Sequence, residues 1–222
     1  MIKYDLQIFG GRGASSSLPV STPGGGGGGG NEPLDMDAAP GLSNNAAAAL
    51  GTQGRAMSIE RAARGANPNY SLGAEYQRNC QRCIIATEAR MRGYDVQALP
   101  TFNGDTMPMG TSYLNNFVGA KTSTIRRTTP NANRKDVESQ MAAMGNGARA
   151  TMSFQWKGGR SGHVINVMQK GGKTRYIDGQ NGTEVNAKAL YNAISNGKGI
   201  KLTRVDNLSF SDTVNQSVRP TI

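Results

Sequence analysis

The chain is poor in the residues that most often carry chemistry or staple a fold. It has one histidine, His163, among 222 residues, and two cysteines, Cys80 and Cys83. Two cysteines so close together argue against a disulfide-stapled secreted scaffold. They also leave a structural zinc site short. Such a site takes four ligands, usually from two such pairs, and the only set here is Cys80, Cys83, His163 and Asp178. No strand leads directly into the pair and no βαβ unit surrounds it, so a thioredoxin-like role is not indicated. No metal and no cofactor is expected. Apolar runs are short as well. None approaches the roughly 18 residues of a membrane span, and the N-terminus lacks the apolar core of a secretory signal. The expectation is synthesis in a reducing cytoplasm, with no membrane partner. Acids are outnumbered, 15 against 25 Lys and Arg, giving a net charge of +10. The excess sits mid-chain, at residues such as Lys121, Arg126, Arg127, Arg134 and Lys135. Such charge attracts nucleic acid or an acidic protein surface. No helix-turn-helix, zinc-finger or RNA-recognition pattern accompanies it, and aromatics for stacking on bases are few. Nucleic acid is therefore not the favoured partner.

Glycine is abundant but uneven. Seven of the 30 run from Gly24 to Gly30, after a short leader with the segment Tyr4-Asp5-Leu6-Gln7-Ile8-Phe9. This composition predicts a disordered, low-complexity tether over 1–54, in which Ala46 to Leu50 has the makings of one helical turn. A globular domain of about 150 residues follows over 55–206, enough for one core, and a polar tail closes the chain over 207–222. Ser58 predicts the cap of a short helix. Asn79 predicts the cap of a longer one, Cys80 to Arg92, with an apolar start and a solvated end at Glu88, Arg90 and Arg92. Strands are expected at Tyr94 to Leu99, Ala148 to Trp156 and Ile200 to Val205. Helices are expected at Arg134 to Met144, capped by Asn133, and at Asn186 to Asn196. Helices precede mainly antiparallel strands, which predicts an α+β fold.

The lone histidine lies in a predicted β-hairpin. Two runs rich in β-branched and apolar residues flank Gly171-Gly172, a pair suited to the positive φ angles of a two-residue turn. If those glycines are the loop, Lys170 faces Lys173, Ile165 faces Asp178 and His163 faces Gln180. Side chains alternate with period two, so His163, Asp178 and Gln180 share one face. Diagonal neighbours there are roughly 7 Å apart, within reach of an imidazole–carboxylate hydrogen bond. An imidazole oriented by a carboxylate is two parts of a nucleophilic triad.

The missing nucleophile has two candidates. Cys80 opens a helix, where the positive end of the dipole favours a thiolate. Cys83 begins the apolar run of that helix and suits a packing role better, yet it is still in the first turn. Helix-end position favours Cys80 and leaves Cys83 as the alternative.

Three separated motifs, in order, carry a family resemblance: Asn79-Cys80-Gln81-Arg82-Cys83; Arg90 through Pro100; and Gly162-His163-Val164 with Tyr176 through Gly182. They resemble the papain-fold toxin family of bacterial polymorphic toxins, which is similar to glutamine deamidase effectors with a Cys-His-Asp triad. The likeness covers Tyr70 to Val205. It implies a papain-like cysteine-hydrolase fold, with Cys80 matching the nucleophile, His163 the base and Asp178 the orienting residue. It also implies a protein substrate with an accessible glutamine. A cysteine protease of the same fold is the alternative. Gln180, Asn79 and Gln77 are the candidates for supporting the imidazole or the oxyanion. Gln77 stands six residues before Cys83, the spacing at which papain-type proteases place an oxyanion donor. The family's usual Asp-Pro-Gln stands here as Asp178-Gly179-Gln180, which implies a looser turn. The leader, Met1 to Ser17, resembles leaders of phage head-associated proteins. It implies a capsid or portal partner, and a protein of the bacterial cytoplasm that is carried by a virion or delivered into a target cell. On that view a non-catalytic head protein is a further alternative.

Overall fold

A computed structural model describes residues 42–102, 112–159 and 161–221. The leader, the glycine run and most of the expected tether lie outside the described residues. The architecture is α+β, with every strand pair antiparallel. In chain order it comprises α1 (Asn44–Leu50), α2 (Ile59–Ala66), α3 (Ala74–Gln77), α4 (Cys80–Met91), β1 (Val96–Ala98), β2 (Thr122–Ile125), α5 (Pro130–Met144) and β3 (Arg149–Gln155). There follow β4 (Gly162–Lys170), β5 (Lys173–Asp178), β6 (Thr183–Glu184), α6 (Ala187–Ala193), β7 (Ile200–Arg204) and β8 (Val218–Pro220). Six strands form one sheet in the order β2-β7-β3-β4-β5-β6, and β1 pairs with β8.

Alternation along β4 divides the core. Val164 packs with Ile84, Ile85 and Ala89 of α4. Ile165 and Val167 pack with Val137 and Met141 of α5 and Leu190 and Tyr191 of α6. The sheet thus lies between α4 and the α5–α6 pair. The hairpin turn is built on Gly171 and Gly172, whose φ angles of 58° and 75° suit glycine. Lys170 pairs with Lys173, and the ladder runs to Asn166 opposite Ile177. This is the register the glycine pair predicts.

Four expectations are corrected. The folded part begins before Arg55, because Ser43 caps α1 and Ala46, Ala49 and Leu50 are buried in the α4 core. The C-terminal segment is not a loose polar tail. Phe210, Val214 and Val218 are buried in the same core, and Val218 pairs with Ala98. The end of α4 is not solvated either, since all twelve of its residues are buried. Glu88 takes a two-pronged bond from Arg149 (2.8 Å to each oxygen) and one from Arg92 (2.7 Å). Burial opposes the Glu88 charge, but the two guanidiniums outweigh it and hold its pKa below the usual range. Finally, α5 starts at Pro130 with Thr129 as its cap. Asn133 is inside the helix and binds both the N–H and the C=O of Arg127. Proline at the first helical position, behind a capping Thr, explains the earlier start.

Candidate active site

The first turn of α4 and the end of the β4–β5 hairpin meet at one place. Asn79 precedes α4, and its backbone carbonyl accepts from the N–H groups of Arg82 (2.8 Å) and Cys83 (3.0 Å). Its side chain does not cap the helix. It serves instead as a junction. Nδ2 donates to the Leu99 carbonyl (3.1 Å), and Oδ1 accepts from Cys83 Sγ (3.1 Å) and from Gln180 Nε2 (3.4 Å). Asn67 extends the junction, donating to the carbonyls of Tyr76 (2.8 Å) and Gln180 (2.9 Å). By its neighbours in Asn67-Pro68-Asn69, Asn67 is a turn residue. Its partners lie 9 and 113 positions away, so no local pattern announces the role.

His163 stands near the start of β4. Its Nε2 is 3.0 Å from Asp178 Oδ2, and the Cys80 side chain is near enough to favour the imidazolium. Burial works against an imidazolium here. The Asp178 charge and hydrogen bond, with Cys80, prevail and push the His163 pKa up to about 10. Asp178 is fixed in turn. Oδ1 accepts from the Gln180 N–H (3.0 Å), and Oδ2 also accepts from Asn181 Nδ2 (3.2 Å). The structure therefore brings His163 and Asp178 into hydrogen-bond contact and sets Cys80 beside His163, with Gln180 and Asn79 close by.

Two aromatic side chains enclose the imidazole, and sequence reasoning missed both. Trp156 stacks on His163 with centroids 5.8 Å apart, and Phe154 meets it edge-on at 5.9 Å. Phe154 pairs directly with His163 across β3 and β4. The signal was present in the alternation Phe154-Gln155-Trp156, once β3 is set against β4.

The remaining candidates have other partners. Cys83 is buried and donates to Asn79. Burial first, then the charges of Cys80 and Asp178, push its pKa well above the ordinary thiol value. Gln77 donates to the Tyr70 carbonyl (3.3 Å) within its own segment. Among the described residues, no group of three or more His, Cys, Asp or Glu side chains is arranged to hold a metal ion.

Gly179 contradicts the expectation of a looser turn. A Cβ at this position would collide with Thr87 Oγ1 and come within 3.1 Å of the Cys83 carbonyl. The turn is pressed against α4, and glycine is what permits the approach.

Residues 78–183 match the family described as papain fold toxin 1, glutamine deamidase. This segment is similar to papain-fold toxin domains. The matched span contains Cys80, Cys83, His163, Asp178 and Gln180, and ends one residue after Gly182. Among solved structures, the chain resembles a variant of the Salmonella effector SpvD. Identity is 14%, the TM-score is 0.45, and the alignment covers 77% of this chain and 95% of that one. No curated protein sequence matches the chain. No described helix is long and apolar enough to cross a membrane.

Proposed function

We propose that this chain is a cysteine-dependent deamidase that converts glutamine to glutamate in a target protein. The observation that carries the reading is the series Cys80–His163–Asp178 at the first turn of a helix inside the matched family segment. Cys80 is the nucleophile, His163 the acid and base, and Asp178 the group that orients the imidazole and supports its charge.

The chemistry follows from the geometry. The Cys80 thiolate attacks the side-chain carboxamide carbon of glutamine. The oxyanion is met by N–H groups at the start of α4, where the helix presents donors and positive potential. His163, as imidazolium, gives its proton to the departing amine, ammonia leaves, and a thioester remains on Cys80. Neutral His163 then takes a proton from water, which adds to the thioester. Collapse releases glutamate and returns the proton to the Cys80–His163 pair. Asn79 and Gln180 are bonded to each other, so in this reading they brace the site. Cys83, tied to Asn79 as a thiol, shares that bracing role.

The test is mass spectrometry of host proteins incubated with wild-type chain and with Cys80→Ala, His163→Ala and Asp178→Asn. The expected result is ammonia release, with glutamine-to-glutamate conversion at discrete sites. That conversion should be abolished in the first two variants and reduced at least about 10²-fold in the third. Chain cleavage without conversion would make the enzyme a protease. Unaltered proteins throughout would favour the non-catalytic alternative.

A further inference from the structure

Cys83 is a sulfur that the deamidation chemistry leaves unused, one helical turn from the sulfur it does use. Both cysteines are free and buried. They stand at i and i+3 in the first turn of α4, where helix geometry sets the Cα atoms about 5 Å apart. That separation falls inside the range of about 4.4–6.8 Å that a disulfide spans. We infer that Cys80 and Cys83 form an oxidation-sensitive pair, which a peroxide converts into an intrahelical disulfide that shuts the site. The inference rests on Cys80 being the reactive sulfur.

The surroundings divide the two roles. Cys80 lies beside His163 at the first position of α4 and is the sulfur that the proposed deamidation makes reactive. Cys83 is kept as a thiol by its burial, with its S–H directed to Asn79 Oδ1 at 3.1 Å. A peroxide therefore meets Cys80 first. The sulfur lone pair attacks one peroxide oxygen, the O–O bond breaks, and the departing hydroxide takes a proton from His163. Cys80 becomes a sulfenic acid. Cys83 Sγ then displaces hydroxide from the Cys80 sulfur. The S–S bond forms, the S–O bond breaks, and the Cys83 proton leaves with the hydroxide as water. The sum is two thiols plus one peroxide giving one disulfide and two waters. Location in the first turn helps, because Cys80 precedes the ladder, which opens with the Arg82 and Cys83 N–H groups on the Asn79 carbonyl.

The disulfide would disable the site at two points. Cys80 leaves His163, and Cys83 stops donating to Asn79, the residue that also receives Gln180. A dithiol reductant restores both. The pair also protects the nucleophile, since capture by Cys83 competes with further oxidation of the sulfenic acid.

The test treats the full chain with hydrogen peroxide, then denatures it and alkylates it with N-ethylmaleimide before intact-mass measurement. Wild type is expected to lose two hydrogens and both labels, and to regain both labels and its deamidation activity after dithiothreitol. Cys83→Ser is expected to accumulate oxygen on Cys80 and to lose activity irreversibly. Oxygenated Cys80 beside a fully labelled Cys83 in wild type would overturn the inference. So would thiols untouched by peroxide, or a Cys83→Ser variant that recovers as wild type does. The two assignments separate cleanly. A disulfide-bonded protein that still deamidates would refute Cys80 as nucleophile and leave the pair standing. Deamidation lost in Cys80→Ala, with no disulfide ever formed, would do the reverse.

Discussion

His163 is held between opposing demands. Its burial favours the neutral ring, while Asp178 favours the cation and prevails. The folded protein therefore binds this proton more tightly than the unfolded chain, whose histidine titrates near 6.5. The resulting contribution to stability is full below about pH 6.5 and is lost as pH rises through about 10. Because His163 is the only histidine, its ring gives one set of NMR resonances and its titration is read without assignment. The midpoint is expected near 10 in wild type and lower by about 1–3 units in Asp178→Asn. An unchanged midpoint in the variant would show that Asp178 does not hold the charge. The His163–Asp178 contact was legible in the sequence, because a two-glycine turn and period-two alternation determine it. The aromatic enclosure was not, because Phe154 and Trp156 reach His163 only through the β3–β4 register. By local sequence Asn67 is a turn residue and Asn79 a helix cap. Which amide joins which is decided by tertiary approach, not by neighbours in the chain.

At the scale of elements, the site depends on how the hairpin end seats against α4. The contact is Gly179 on Thr87, whose Oγ1 also donates to the Cys83 carbonyl at 2.8 Å. Gly179→Ala is expected to push Asp178 and Gln180 away from α4, to cost about 1–3 kcal/mol in denaturant unfolding, and to lower deamidation. Adding Thr87→Ala removes the colliding oxygen and should restore most of both. Failure of the double variant to recover would mean that Gly179 acts through something other than this contact. Helix α4 shows where local reading ends. Its start and span follow from Asn79 and Gly93, yet its polar second half is buried. Glu88 is neutralised by Arg149, 61 positions away, a pairing that no helical periodicity encodes.

Across the whole molecule, the two chain ends of the described structure are part of the core that supports α4. Arg82 binds the carbonyls of Gln216 (3.0 Å) and Pro100, and Arg92 binds those of Val205 and Leu208 (2.6 Å each). The C-terminal segment carries little signal in the sequence because Phe210, Val214 and Val218, although four apart, are single apolar residues among polar ones. Deleting 207–222 exposes the surfaces that Phe210, Val214 and Val218 cover, at about 1.5–3 kcal/mol for each side chain. Against a typical stability of about 5–15 kcal/mol, the truncated chain is expected to lose its cooperative melt in circular dichroism. A truncated chain that melts as wild type does would show that the segment is an appendage.

The central claim is that Cys80 is a nucleophile activated by His163 and held by Asp178. The most direct measurement is intact-mass analysis of iodoacetamide labelling at mildly acidic pH, on wild type, Cys80→Ala, Cys83→Ala and His163→Ala. The account predicts one fast label on Cys80. It should be absent in Cys80→Ala, present in Cys83→Ala, and slower by about tenfold or more in His163→Ala. Fast labelling of Cys83 instead, or slow labelling indifferent to His163, would contradict it.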